Sequence, residues 1–139
     1  MRVFLDTNIL LDCLLERGPL SKDSRLCFKS CVGKGIIMLM SDLSVANINY
    51  ITRKDYNRAE FNAAILKLTE FVDIVEVGSS YILEALYLDW KDFEDSLQYL
   101  SAMQAQADCI VTRNIKDYEA SALEVLTPHD FISDRKSVV

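Results

Sequence analysis

Short apolar runs alternate along the chain with longer segments in which apolar residues recur at helical spacing. In residues 7–17, Ile9, Leu10, Cys13 and Leu14 recur at the spacing of one helical face. Residues 36–40 are apolar without interruption, which is typical of a strand buried on both faces. The pattern predicts strands at residues 2–6, 36–40, 74–77, 109–111 and 124–126.

Helical segments separate these strands, and several have clear start or stop signals. Gly18 and Pro19 end the first segment, and Ser41 can cap the helix that follows the second strand. Alternating strands and helices predict an α/β fold, a three-layer sandwich with a mainly parallel central sheet of about five strands. Predicted helices occupy residues 7–17, 21–32, 42–52, 58–71, 79–88 and 90–107.

The composition fits one globular domain. The chain has 139 residues, of which 50% are hydrophobic and 26% charged, and this balance excludes intrinsic disorder. We expect a single domain over residues 1–133 and a flexible tail over 134–139. With no signal-peptide pattern and no apolar run near the roughly 20 residues that span a bilayer, we expect a cytoplasmic protein without membrane contact.

Cysteine usage and charge narrow the function classes. The four cysteines include no Cys-x-x-Cys pair, and the one histidine, His129, lies near the C-terminus, so a zinc site is not supported. We expect buried, reduced thiols. A net charge of -6 argues against a protein that coats nucleic acid passively, and is compatible with an acidic site that a divalent cation neutralises.

Polar side chains follow the first, second and fourth predicted strands, at the sheet edge where parallel α/β folds form their sites. Two more acids, Asp92 and Asp95, share one face of a predicted helix. Such an oxygen-rich set suits Mg²⁺ or Mn²⁺, which can activate water and neutralise a phosphodiester. The other members are Asp6, Asn8, Asn47, Thr112, Asn114 and Asp117, with Arg53 and Arg113 close enough in sequence to contact a phosphate.

Each residue also has an ordinary structural explanation. Asp6 can cap a helix, Asp92 and Asp95 can favour a helix dipole, and Asn114 and Asp117 can stabilise a turn. Their coincidence at one sheet edge favours a site. No glycine-rich phosphate loop is present, and the single histidine argues against a Ser-His-Asp hydrolase.

Four stretches of the sequence resemble the PIN domain family, a compact nuclease fold found in VapC-type toxins and RNA-processing enzymes. The order and strand–helix context of these stretches agree with the family over nearly the whole chain. Asp-Thr-Asn alone is a weak signal, but its combination with Thr-Arg-Asn-x-x-Asp-Tyr is strong. The stretches are residues 3–12 (VFLDTNILLD), 92–98 (DFEDSLQ), 110–118 (IVTRNIKDY) and 125–128 (VLTP).

The resemblance implies roles for individual residues. Asp6 resembles the family's first metal-binding aspartate, Asp95 the acid that opens the helix before the fourth strand, and Asp92 an acid of the bacterial VapC-type subgroup. Asn114 falls where many members have a further aspartate, with Asp117 nearby. Asn8, Thr112 and Asn114 would orient the carboxylates. Asn47 departs from the family, because most members have a glutamate there, and Asp92 is our candidate for the missing carboxylate.

The resemblance also implies an activity and partners: a Mg²⁺- or Mn²⁺-dependent endoribonuclease, the toxin of a bacterial type II toxin–antitoxin pair, neutralised by a small antitoxin and forming a homodimer. The alternative is a catalytically weak PIN-like module that binds RNA or a partner, since Asn47 supplies no charge. A receiver-type phosphate acceptor is disfavoured, because Gly78 follows the third strand and no lysine follows the fifth.

Overall fold

The computed structural model describes residues 1–15 and 17–137, with side chains up to residue 133. Its centre is a five-stranded sheet in the order β3-β2-β1-β4-β5. Every neighbouring pair of strands is parallel, which confirms the predicted α/β fold class. The strands are β1 Arg2–Leu5, β2 Ile37–Ser41, β3 Val72–Val75, β4 Cys109–Val111 and β5 Glu124–Leu126.

Helices cover both faces of the sheet, as the sequence predicts. None in the described residues is long and apolar enough to cross a membrane. The last helix continues to Ser137, so residues 134–137 of the predicted tail have helical backbone, while residues 138 and 139 lie outside the described residues. The helices are α1 Thr7–Leu14, α2 Leu20–Gly33, α3 Asp42–Ile51, α4 Arg58–Leu68, α5 Ser79–Leu88, α6 Phe93–Gln104 and α7 Pro128–Ser137, with a 3₁₀ helix at Ile115–Tyr118.

The core is divided by the sheet into two apolar clusters. Alternation along β1 sends Val3 and Leu5 to one cluster and Phe4 to the other, because successive strand residues point to opposite faces. Cys27, Cys31 and Cys109 are buried, as the sequence predicts, and Cys13 is half-buried; none of the four forms a disulfide.

The predicted limits of β3 and α6 were wrong by two or three residues. β3 begins at Val72 because it pairs with Met38, and it ends at Val75 opposite Ser41, where β2 also ends. Residue 77 lies beyond the strand, and its backbone N–H donates to the Asp42 carboxylate over 3.3 Å. Helix α6 begins at residue 93 rather than 90, because the Asp92 side chain caps it.

Candidate functional site

Asp6 lies at the carboxyl end of β1, at the point in the sheet where the strand order reverses. The chain builds β2 and β3 on one side of β1, and β4 and β5 on the other, so the crevice beside Asp6 is a topological switch point. The Asp6 backbone N–H donates to the Val111 carbonyl of β4 at 3.0 Å, which continues the ladder by one residue. The side chain of Asp6 is only 7% exposed.

Three donors hold the Asp6 carboxylate. Its Oδ1 accepts from the Thr7 backbone N–H at 2.7 Å, and its Oδ2 accepts from the Thr112 hydroxyl at 2.8 Å and the Asn8 amide at 3.3 Å. Burial raises the pKa of Asp6, and the hydrogen bonds from Thr112 and Thr7 oppose that shift. The carboxylate is thus fixed in orientation, and a neighbouring cation would favour its ionised form.

Two acids from the start of α6 face the same crevice. Asp92 is the N-cap of α6, and its Oδ1 accepts from the Asp95 backbone N–H at 3.0 Å. Burial, and then the charge of Asp92, raise the pKa of Asp95 to about 7, with further repulsion from Asp6, Asp117 and Glu94. Asp92, Asp95 and Asp117 line one cleft, and Asp6, which directly follows β1, is near enough for its charge to contribute to the raised pKa of Asp95.

The loop after β4 is tied to the end of β1. The Asn8 side-chain oxygen accepts from the Arg113 backbone N–H at 3.3 Å, and the Thr112 hydroxyl accepts from the Asn114 backbone N–H at 3.1 Å. The side chains of Asn114 and Asp117 are exposed. Asn8 and Thr112 therefore connect the predicted acids with the loop that carries Asp117.

Asn47 is on α3 and donates from its amide to Glu94 Oε1 at 2.6 Å. Burial, and then the charges of Asp92 and Asp6, raise the pKa of Glu94. The carboxylate next to Asn47 is therefore that of Glu94, which the sequence analysis did not single out. The signal available was the density of acids at positions 92–95, but the contact itself depends on how α3 and α6 pack.

Arg113 and Arg53 are engaged within the protein. Arg113 Nε lies 3.3 Å from Oδ2 of the fully buried Asp12. Arg53 stacks over the Tyr50 ring, with 4.0 Å from its Cζ to the ring centroid, and donates to the Tyr50 carbonyl. These contacts place Arg113 beside the site loop and Arg53 just beyond the end of α3.

A buried polar network lies between the sheet and α6. Gln98 is 1% exposed and accepts from the Ser41 hydroxyl at 2.6 Å, while its amide donates to Ser44 at 2.9 Å and Thr7 at 3.2 Å. The network connects the end of β2 and the first turns of α1 and α3 to α6. It thereby fixes the elements that carry Asp6, Asn47 and Asp95.

The donor set suits a hard divalent cation. The side chains around the crevice offer carboxylate, amide and hydroxyl oxygens, the ligands that Mg²⁺ and Mn²⁺ favour. Among the described residues, no group of three or more His, Cys, Asp or Glu side chains is already arranged around a common metal position. Mg²⁺ is usually bound by one or two carboxylates, with water among its other ligands.

Beside these acids is a cleft of about 800 Å³, whose lining includes Trp90, Asp92, Asp95, Lys116 and Asp117. The cleft gives a ligand access to the half-buried Asp95. Its lining combines carboxylates, two lysines and an aromatic ring, unlike the predominantly apolar pockets that bind uncharged small molecules.

Comparison with known proteins agrees with this geometry. Ribonuclease VapC1 of Aquifex aeolicus is 25% identical over 135 residues, covering 94% of this chain and 92% of the relative. The structure of VapBC-1 from nontypeable Haemophilus influenzae matches with a TM-score of 0.70 and 20% identity, over 93% of this chain and 99% of that one. A toxin-antitoxin complex from Klebsiella pneumoniae matches with a TM-score of 0.66 and 21% identity, over 91% and 97%.

These structures share the fold at low sequence identity. The family-level match is more direct, because the PIN domain family matches residues 2–116, which include Asp6, the acids at the start of α6 and the loop residues Thr112 and Asn114. The chain therefore belongs to the PIN domain family.

Proposed function

We propose that this protein is a Mg²⁺- or Mn²⁺-dependent endoribonuclease. The observation that carries the proposal is the position of Asp6 at the switch point of a PIN fold, with Asp92, Asp95 and Asp117 lining the adjacent cleft. The similarity to a ribonuclease supports RNA as the substrate. Water attacks the phosphorus, the bond to the leaving oxygen breaks, and the fragments end in a phosphate monoester and a hydroxyl.

Asp6, Asp92 and Asp95 are proposed to hold the cation, with Asn114 and Asp117 next to it. The cation would polarise water and neutralise the phosphate. Asn8 and Thr112 keep the Asp6 carboxylate in one orientation through their hydrogen bonds. Arg113 and Arg53 are proposed to contact substrate phosphates; Arg113 has five donors, of which Nε faces Asp12.

Cleavage of single-stranded and structured RNAs in Mg²⁺, Mn²⁺ or EDTA tests this function. We expect cleavage that needs a metal and is lost in Asp6→Asn, while Asp55→Asn, an exposed acid in the loop after α3, keeps full activity. Tight RNA binding without cleavage in either metal, by a folded protein, would favour the alternative of a catalytically weak binding module.

Measuring the Mn²⁺ affinity of variants can identify which acid supplies the carboxylate that Asn47 lacks. Asp92 is our sequence-based candidate, whereas Glu94 is the acid that contacts Asn47. We expect Asp92→Asn and Glu94→Gln each to weaken Mn²⁺ binding, measured by calorimetry. Unchanged binding in Asp92→Asn would remove Asp92 from the proposed ligands and leave Glu94 as the compensating acid.

We also propose that the protein is the toxin of a toxin–antitoxin pair. Several proteins with this fold were solved as VapBC or other toxin–antitoxin complexes. The acidic crevice would attract a basic segment of a small antitoxin, since complementary charge steers association. Growth arrest on expression of the chain, absent with Asp6→Asn and relieved by the partner, is the expected result.

A homodimer is the proposed assembly of the free protein. Helix α5 has a large exposed apolar face, which includes Leu83, Leu86 and Tyr87. Contiguous exposed apolar surface on a helix commonly marks an interface.

A further inference from the structure

Trp90 contributes an aromatic ring to the lining of the cleft beside the acids. Its indole stacks on the Tyr99 ring, with centroids 4.8 Å apart and 26° between the planes, and meets the Tyr118 ring edge-on at 6.1 Å. Both tyrosines are buried, so these contacts fix the plane of the indole from the protein side. Trp90 itself is only partly buried, so the fold leaves part of it open to the cleft.

Chain connectivity holds Trp90 close to the acids at the start of α6. Helix α5 ends where Asp89 adopts a left-handed conformation with φ 53, and Asp92 caps the start of α6, so Trp90 lies in the short turn between the two helices. Two residues of chain span at most about 7 Å, which limits the distance from the Trp90 Cα to the Asp92 Cα. A group that binds against the indole therefore lies beside the proposed cation site.

The charge of the cleft favours a contact with an uncharged part of a nucleic acid. The described residues of its lining include five acids but only two lysines, Lys91 and Lys116. This surplus of negative charge weakens contacts with the phosphate backbone, which usually supply most of the affinity for a nucleic acid. Stacking of a base on an aromatic ring needs no positive charge and tolerates any base. The acids are Asp89, Asp92, Asp95, Asp117 and Glu119.

We propose that Trp90 is a stacking platform for an unpaired nucleobase of the RNA substrate, and that it thereby positions the adjoining phosphate at the acids. This inference rests on the proposed function and narrows the substrate class to RNA that presents an unpaired base. In a duplex each base is stacked between its neighbours, so its face is not available to an indole. The cleft, of about 800 Å³, is within the roughly 300–1,000 Å³ of sites that hold a small organic molecule, which is enough for a base with its ribose.

The fluorescence of Trp90 gives a direct test, because Trp90 is the only tryptophan of the chain. The protein is mixed in Mn²⁺ with an excess of a short single-stranded oligoribonucleotide, and the tryptophan emission is recorded by stopped flow before cleavage. Stacking of a base on the indole should quench the emission, whereas the same oligonucleotide annealed to its complement should leave it unchanged. Unchanged emission with a single strand that is nevertheless cleaved, or equal quenching by the duplex, would overturn the inference.

Trp90→Leu and the matched control Phe71→Leu test the same role by kinetics. Both remove a partly exposed ring from an aromatic pair, but Phe71 packs edge-on against Phe28 at 6.0 Å and directly precedes β3, at the opposite end of the sheet from the acids. Trp90→Leu should raise KM for single-stranded RNA roughly tenfold with little change in kcat, and Phe71→Leu should leave KM unchanged. Trp90→Phe keeps a ring and should stay close to the parent, and it serves as the test if leucine prevents folding.

The outcomes separate this inference from the proposed function. A parental KM in Trp90→Leu, in a protein that cleaves RNA, would overturn the role of Trp90 alone. An equal rise in KM for Phe71→Leu would assign the effect to lost packing and would also overturn that role. A parent that neither cleaves RNA in either metal nor shows quenching would overturn the proposed function and this inference together, whereas quenching without cleavage would keep the stacking platform in a binding module.

Discussion

At the scale of single residues, Asp95 shows that the fold holds carboxylates close together at the candidate site, although their charges repel. Burial and the neighbouring acids, Asp92 first, raise its pKa from 3.8 to about 7. A carboxyl group whose pKa is raised in the folded state stabilises the fold fully only at a pH below its pKa in the unfolded state. That stabilisation is lost as the pH rises through about 7.

We therefore predict that Asp95→Asn raises the melting temperature of the metal-free protein at pH 8 by a few degrees, with little change at pH 4. The amide carries no charge to repel Asp92 or Asp6. Thermal denaturation at the two pH values measures the effect, and Asp55→Asn, an exposed loop acid, serves as the control. An equal gain at both pH values would mean that the repulsion is not the cause.

Residue by residue, the sequence identified the acids that follow strands and the pair Asp92 and Asp95, but it did not identify Glu94. Asp6 and Thr112 were predictable, because parallel strands deliver their carboxyl ends to one edge of the sheet. The contact of Asn47 with Glu94 spans 47 positions and depends on how α3 lies against α6. Likewise, the motif contains Tyr118, but the edge-on contact of its ring with Trp90 depends on packing.

At the scale of elements, a buried carboxylate connects α1, α2 and the loop after β4. Asp12 is fully buried, accepts from the Ser24 hydroxyl at 2.6 Å and lies 3.3 Å from Arg113 Nε. We predict that Asp12→Ala lowers the free energy of unfolding by about 3 kcal/mol, because it removes the acceptor of the buried Ser24 hydroxyl and the partner of the half-buried Arg113 guanidinium.

Urea denaturation measures this loss, and Glu84→Ala, an exposed acid on α5, is the control and should change little. A small effect of Asp12→Ala would show that Arg113 finds water instead. In that case the ion pair between Arg113 and Asp12 would not be what stabilises the loop after β4.

The hydrogen-bond network around Gln98 connects the sheet to α6, as Asp12 connects α1 and α2 to the loop after β4. Replacing Gln98 with leucine keeps the volume but removes the partner of Ser41 and Ser44, and buried hydroxyls left unpaired cost stability. We predict a loss of about 2 kcal/mol for Gln98→Leu in urea denaturation. Gln104→Leu, at an exposed position of the same helix, should be close to neutral; an equal loss there would point to a helix-wide cause.

Element types were more predictable than element limits. Helical periodicity and caps such as Ser41 located the helices, since these signals are local. The limits of β3 were missed because they follow from its register with β2, in which Val72 lies opposite Met38. The limits of α5, in contrast, were predicted correctly, and the helix ends where Asp89 adopts a left-handed conformation with φ 53.

At the scale of the whole molecule, α5 shows that burying the core does not use all of the apolar surface. Ala85 faces the core, whereas Leu83 and Leu86 are 61% and 62% exposed, and Tyr87 is 89% exposed. A helix that serves only as a cover for the sheet would have polar residues at these positions. The apolar outer face of α5 is therefore the surface that we assign to the proposed homodimer.

Leu86→Asp should convert that dimer into a monomer. A carboxylate in the centre of an apolar interface loses its hydration without gaining a partner, whereas on a free surface it costs little. Light scattering should give a mass near the 15.8 kDa of one chain for Leu86→Asp and about twice that for the parent. Leu66→Asp tests the alternative that any new surface charge dissociates the dimer, because Leu66 is 69% exposed on α4 and outside this face. A Leu86→Asp variant that stays dimeric would show that α5 is not the interface. A parent protein that is monomeric at high concentration would mean that a different protein covers the exposed face of α5.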